Sequence, residues 1–145
     1  MMGVGLLLLG VLLAPDRAQA QQQDSPPYWK QHLDKQVDEL VESSNSAVRA
    51  EGMQLLISFA SEHEPAIDFS ETRNALYDVL FNRAYSHEQR ILALSALHAI
   101  GGDRMTQVLA NWVSEVSSDR IRRHVLLVLE QRTQHNDAQS ARPQG

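Results

Sequence analysis

Residues 89–97 read QRILALSAL, and the same pattern stands at 48–56 (VRAEGMQLL) and at 121–129 (IRRHVLLVL). In each stretch an arginine leads. Three positions later comes Gly52, Ala93 or Val125, and beyond it an apolar pair, Leu55-Leu56, Ala96-Leu97 or Val128-Leu129. Apolar residues at steps of three and four draw one stripe along an α-helix. Arg73-x-x-Leu76-Tyr77-x-Val79-Leu80 is a partial fourth copy. Arg49, Arg90 and Arg122 are spaced as two-helix repeat units are, roughly 30–45 residues apart.

Outward from these stretches the chain reads as six helices. The apolar positions Trp29, Leu33, Val37, Leu40 and Val41 form a first stripe after Pro26-Pro27, and Ser43–Ser46 interrupt it. The second helix runs from about Ala47 to Ser61. Asp68 or Ser70 is expected to cap the third, with Asp68-x-x-Glu71 as a capping box, and Ser86-x-x-Gln89 to cap the fourth. Gly101-Gly102 stops the fourth helix, Asp103 caps the fifth, and Ser117-Ser118-Asp119 leads into the sixth. No run alternates with period two between turn pairs, so strands are not expected. The short connections pair neighbouring helices as hairpins.

The arginine pattern resembles that of the HEAT-repeat family, including the shorter HEAT-like repeats of phycobilin lyases. Ala47-Val48-Arg49, His87-Glu88-Gln89-Arg90 and Asp119-Arg120-Ile121-Arg122 carry the likeness, which spans about residues 45–132. The first unit lacks the acidic residue before Val48, and Gln89 stands where valine is usual. The resemblance implies an all-α fold: a short right-handed αα-superhelix of three helical hairpins. In it Arg49, Arg90 and Arg122 hold the repeats together, each reaching an acidic group of an adjacent unit. Gly52 and Ala93 let the second helix of one hairpin approach the next.

At the front, residues 4–14 (VGLLLLGVLLA) precede Ala18-Gln19-Ala20, a small-x-small pattern that predicts a signal peptide over 1–20, cleaved after Ala20. The run is shorter than the roughly 20 apolar residues of a permanent span, so no stable membrane span is expected. The resulting organisation is a polar linker over 21–26, a six-helix repeat domain over 27–132 and a disordered polar tail over 133–145. The product is expected in the periplasm or outside the cell. The chain has no cysteine, which excludes thiol nucleophiles and disulfides and suits an oxidising compartment.

Chemistry is hard to find. His87-Glu88-x-x-Ile91 and His63-Glu64-x-x-Ile67 begin like zinc-protease helices but lack the second histidine. No nucleophile elbow, phosphate loop or dinucleotide fingerprint occurs. The reading is therefore of a protein that is not an enzyme, with no cofactor, no metal and no catalytic residue. Its net charge of −5 argues against a nucleic-acid partner. That total divides unevenly: 21–71 holds 3 basic and 10 acidic residues, 72–145 holds 9 and 7.

The expected partner is another protein. Arg120 and Arg123, in the basic cluster that opens the last helix, are candidates for meeting its carboxylates, and the acidic front helix suggests salt-sensitive head-to-tail association. Tyr28 and Trp29 either close the core or anchor a partner. The leading function is an exported, noncatalytic interaction module of the cell envelope. The alternatives are a small helical-bundle envelope sensor or regulator, and an accessory factor of a lyase-like enzyme.

Overall fold

The computed structural model describes residues 28–62, 67–102 and 104–141. The signal segment 1–20, the linker 21–26, the His63–Ala66 stretch and the expected cap Asp103 all lie outside them. The described chain is all-helical: α1 (Tyr28–Val41), α2 (Ser46–Glu62), α3 (Ser70–Phe81), α4 (His87–Ile100), α5 (Met105–Trp112), a 3-10 turn (Val113–Glu115) and α6 (Asp119–Ser140). Consecutive helices pack in pairs, α1 on α2, α3 on α4 and α5 on α6, and the pairs stack through α2 on α4, α4 on α6 and α1 on α3. Helix α4 is the central element, with α2 on one side, α6 on the other and α3 beside it. Its Ala93, Leu94, Ala96, Leu97 and Ile100 are accordingly all buried.

The starts and stops of the helices follow local chemistry in most places. Asn45 Oδ1 accepts from the backbone N–H groups of Ala47 (2.9 Å) and Val48 (3.4 Å), capping α2. Ser86 Oγ accepts from Gln89 N at 3.2 Å, as the predicted capping box requires. Ser118 Oγ does the same for Ile121 N at 3.4 Å, at the head of α6. Gly101 ends α4 with φ 66° and ψ −152°, and Gly102 follows at φ 126°. Residues with a Cβ avoid this region, which explains the glycine pair; it is not the left-handed helical cap expected there.

Helix α3 departs from expectation. Neither Asp68 nor Ser70 caps it; the N-cap position is Phe69, whose side chain is buried and makes no cap bond. The acceptor comes from another helix. Asp34 of α1 takes the N–H of Glu71 on Oδ2 (3.2 Å) and that of Thr72 on Oδ1 (3.0 Å), and the fully buried Thr72 hydroxyl lies 2.6 Å from Oδ1. A carboxylate here also complements the partial positive charge at the helix start.

Two further expectations are corrected. Gly52 does face a close approach, but within its own hairpin: a Cβ there would lie 2.7 Å from Leu40 Cβ and 3.3 Å from the Leu40 carbonyl carbon, both in α1. The tail expected to be disordered from Thr133 instead continues α6 to Ser140. Thr133 Oγ1 and Ser140 Oγ donate to the carbonyls of Leu129 and Asn136. Arg132 ties the helix to α5 through Thr106 Oγ1 (3.2 Å) and to the α4–α5 connection through Gly102 O (3.4 Å). No glycine or proline stands in the way of the helix until Pro143.

Candidate functional site

The three arginines of the sequence pattern make bonds other than those expected. Arg49 is buried; it donates through Nη2 to Ser43 O (2.6 Å) and through Nη1 to Gln89 Oε1 (3.1 Å). Arg90, also buried, donates through Nε to Leu80 O at 2.7 Å. Arg122 donates through Nη2 to Val116 O and pairs through Nη1 with Asp119 Oδ1 at 3.1 Å. Each guanidinium therefore satisfies a carbonyl left over near the end of the preceding helical segment. Among the described residues none reaches a carboxylate of an adjacent hairpin. Two of them lie over an aromatic ring instead, Arg49 over Tyr85 (4.6 Å) and Arg90 over Trp112 (5.9 Å). Both rings belong to the segment leading into the next second helix, whereas Arg122 meets Asp119 of its own helix.

Burial at two positions of the pattern shows which way each helix faces. Four residues after each arginine stand Met53, Leu94 and Leu126, which are 0%, 1% and 49% exposed. Six residues after stand Leu55, Ala96 and Val128, at 52%, 0% and 9%. The first position is covered wherever a following layer exists, and the second wherever a preceding one does. Leu126 and Leu55 are thus the uncovered members at opposite ends of the stack. Leu127 adds to the first: it is 54% exposed where α2 and α4 carry the polar, exposed Gln54 and Ser95.

Of the partner-binding candidates, Arg120 is engaged within the chain. Its Nη1 lies 3.0 Å from Glu88 Oε1 of α4, an exposed pair that joins two layers. A hydrogen bond from its own backbone N–H first, and the Arg120 charge after it, hold Glu88 below the usual carboxylate range. Arg123 makes one long bond, Nε to Asp119 O at 3.4 Å, and among the described residues it is in no ion pair. Trp29 is half-exposed and meets Phe59 edge-on at 6.4 Å; Phe59 meets Phe69 in turn at 6.1 Å. It therefore extends the core at the front of α1 while leaving one side open. Tyr28 is the first residue of α1, and its side chain is not among those described.

Comparison with known families, with curated proteins and with solved structures finds no match to this chain. The surface must therefore be judged by its own chemistry. Between α3 and α5 lies a cleft of about 370 Å³, lined by Arg73, Asn74, Tyr77, Gly102, Arg104 and Met105 among others. Arg73 packs against the Gly102 backbone, where a Cβ would lie 3.1 Å from its Nε. Arg73 Nε and the Tyr77 hydroxyl are buried and, among the described residues, have no hydrogen-bond partner. Burial raises the Tyr77 phenol above its usual value, so it remains a neutral donor.

A second cleft, of about 440 Å³, lies between the end of α4 and α6 and is lined by His98, Gly101, Gln131, Arg132, His135 and Asn136. Burial, and next the Arg132 charge, lower His98 below its ordinary value, and its Nδ1 is buried and, among the described residues, has no hydrogen-bond partner. Among the described residues no three His, Asp or Glu side chains converge as a metal centre would, and no helix is long and apolar enough to cross a membrane. Sequence reasoning located the arginines and the end helices. It missed the two clefts, because their lining comes from helices whose relative placement no local pattern specifies.

Proposed function

We propose that the chain is an exported, noncatalytic HEAT-like repeat protein that serves as a protein–protein interaction module in the cell envelope. In this reading its three hairpins continue a right-handed αα-superhelix, and a partner covers a face the stack leaves open. The observation that supports it most is the register of Met53, Leu94 and Leu126. Two layers bury this position completely or nearly so, and the last leaves it 49% exposed with a second exposed leucine beside it. Solenoids ordinarily end in a polar capping face. An uncapped apolar end is a surface prepared for another layer. The small-x-small sequence at Ala18–Ala20, after the apolar run, supports export.

The test is a photo-crosslinking amino acid placed at position 126 in producing cells, with position 93 as the buried control. A covalent adduct to a second polypeptide from 126, with none from 93, is the expected result. An absence of adducts from 126 in every cell fraction refutes the module reading. N-terminal sequencing of the same material checks export, the expected first residue being Gln21.

A further inference from the structure

The two uncovered ends of the stack are complementary to each other. At the joint between α2 and α4 the forward position is Met53 and the backward position Ala96; between α4 and α6 they are Leu94 and Val128, all four buried. The unfilled positions left over are Leu126, facing forward from α6, and Leu55, facing backward from α2, 49% and 52% exposed. A joint between Leu126 of one molecule and Leu55 of another would bury the pattern positions that are already buried where α2 meets α4 and α4 meets α6.

Charge favours the same joint. Arg123 lies one turn before Leu126 on the same side of α6, and Glu51 one turn before Leu55 on α2. Both are exposed, and among the described residues neither is in an ion pair. The ends as a whole differ in sign as well. Residues 28–62, which hold α1 and α2, carry three more acidic than basic residues, and α6 (119–140) one more basic than acidic. Two heads or two tails would bring like charges together, whereas a head and a tail attract.

We propose that the partner of this module is a second copy of the chain, stacked head to tail, with Leu126 and Arg123 of one copy against Leu55 and Glu51 of the next. This deepens the protein-binding reading above and rests on it. The contact surfaces differ on the two sides, so the association is open-ended, and copies add in a row instead of closing as a symmetric dimer.

Sedimentation equilibrium of the purified chain tests this. The average mass should rise with concentration above that of the monomer and fall back as salt screens the charges. Leu126→Glu and Leu55→Glu each abolish growth, with association weakened by at least about tenfold. Mixing the two variants restores a complex limited to a dimer, because each retains the end that the other lacks. Arg123→Glu or Glu51→Arg weakens association and the pair together restores it.

A chain that stays monomeric up to about 1 mM overturns the proposal, as does a mixture of the two leucine variants that gives no dimer. If a crosslink from 126 then captures a different polypeptide, the module reading stands and only self-stacking falls. A crosslink from position 55 to the chain's own residues 1–27 in a monomer also overturns it, since the backward end would be covered from within.

Discussion

Replacing Asp34 with alanine tests whether a residue of α1 governs the start of α3. The carboxylate accepts from two backbone N–H groups, of Glu71 and Thr72, and from the Thr72 hydroxyl, at 3.2, 3.0 and 2.6 Å. Loss of an N-cap costs about 0.5–2 kcal/mol, and stranding a buried hydroxyl such as that of Thr72 costs about 1–3 kcal/mol more. The Thr72 hydroxyl recovers part of this, because the Asp34 carbonyl remains 3.0 Å away. A net loss of about 2–3 kcal/mol follows. For a domain of this size that lowers Tm by roughly 6–15 °C, read by thermal melts followed by circular dichroism.

Asp34→Asn keeps one acceptor oxygen and loses about half as much. The decisive measurement is the double-mutant cycle with Thr72→Val. Once the hydroxyl is gone, Asp34→Ala strands one donor fewer, so the two losses should fall short of additivity by about 1 kcal/mol. If Asp34→Ala costs under about 0.5 kcal/mol, or the cycle is additive, the cross-helix cap does not contribute to stability as argued.

Gly52→Ala places a methyl 2.7 Å from Leu40 Cβ, against α1 backbone that cannot yield without moving the helix. Urea unfolding should show a loss of about 1–3 kcal/mol, opposite in sign to the gain alanine brings in an open helix. Arg90→Met removes the bond to Leu80 O and the cation over Trp112. It should cost about 1–3 kcal/mol and change Trp112 fluorescence, while an unchanged melt and spectrum would contradict a bridging role.

Two titrations act in opposite directions. Burial first, then the charges of Glu42, Asp34, Glu71 and Glu39, raise Asp38 above its ordinary 3.8, so its ionised form destabilises the fold at neutral pH. Asp38→Asn should therefore melt higher than the parent at pH 7, with the difference gone once the pH falls below 3.8. His98 is held below its ordinary 6.5, so the unfolded chain takes up its proton first. Its contribution is complete above pH 6.5 and is lost as pH falls through the depressed value, and His98→Gln should flatten that part of the stability profile.

What was legible in the sequence, and what was not, divides by the range of the interaction. Helix existence, the Ser86 cap and the glycine stop are decided within a few residues, and the pattern at 89–97 displays them. The arginine register was legible for the same reason, since a repeated motif implies a repeated neighbour. The neighbour's chemistry was not. Arg90 could have met a carboxylate as readily as the Leu80 carbonyl, and only the placement of α3 beside α4 decides it. Asp34 looked like one more acid on the polar side of α1, because its partners Glu71 and Thr72 stand 37 and 38 residues away. Gly52 marked a close approach correctly, yet the helix approached is α1.

The leucines of the stack ends show the limit most plainly. Leu55 and Leu126 occupy the same pattern positions as residues that are buried, so by sequence alone they belong to the core. They are exposed because α2 and α6 lie at opposite ends of the described stack, where among the described residues no further helix packs on them. An apolar residue kept at such a position costs solubility unless something covers it. For that reason the ends of this stack, and not its interior arginines or its clefts, carry the functional argument.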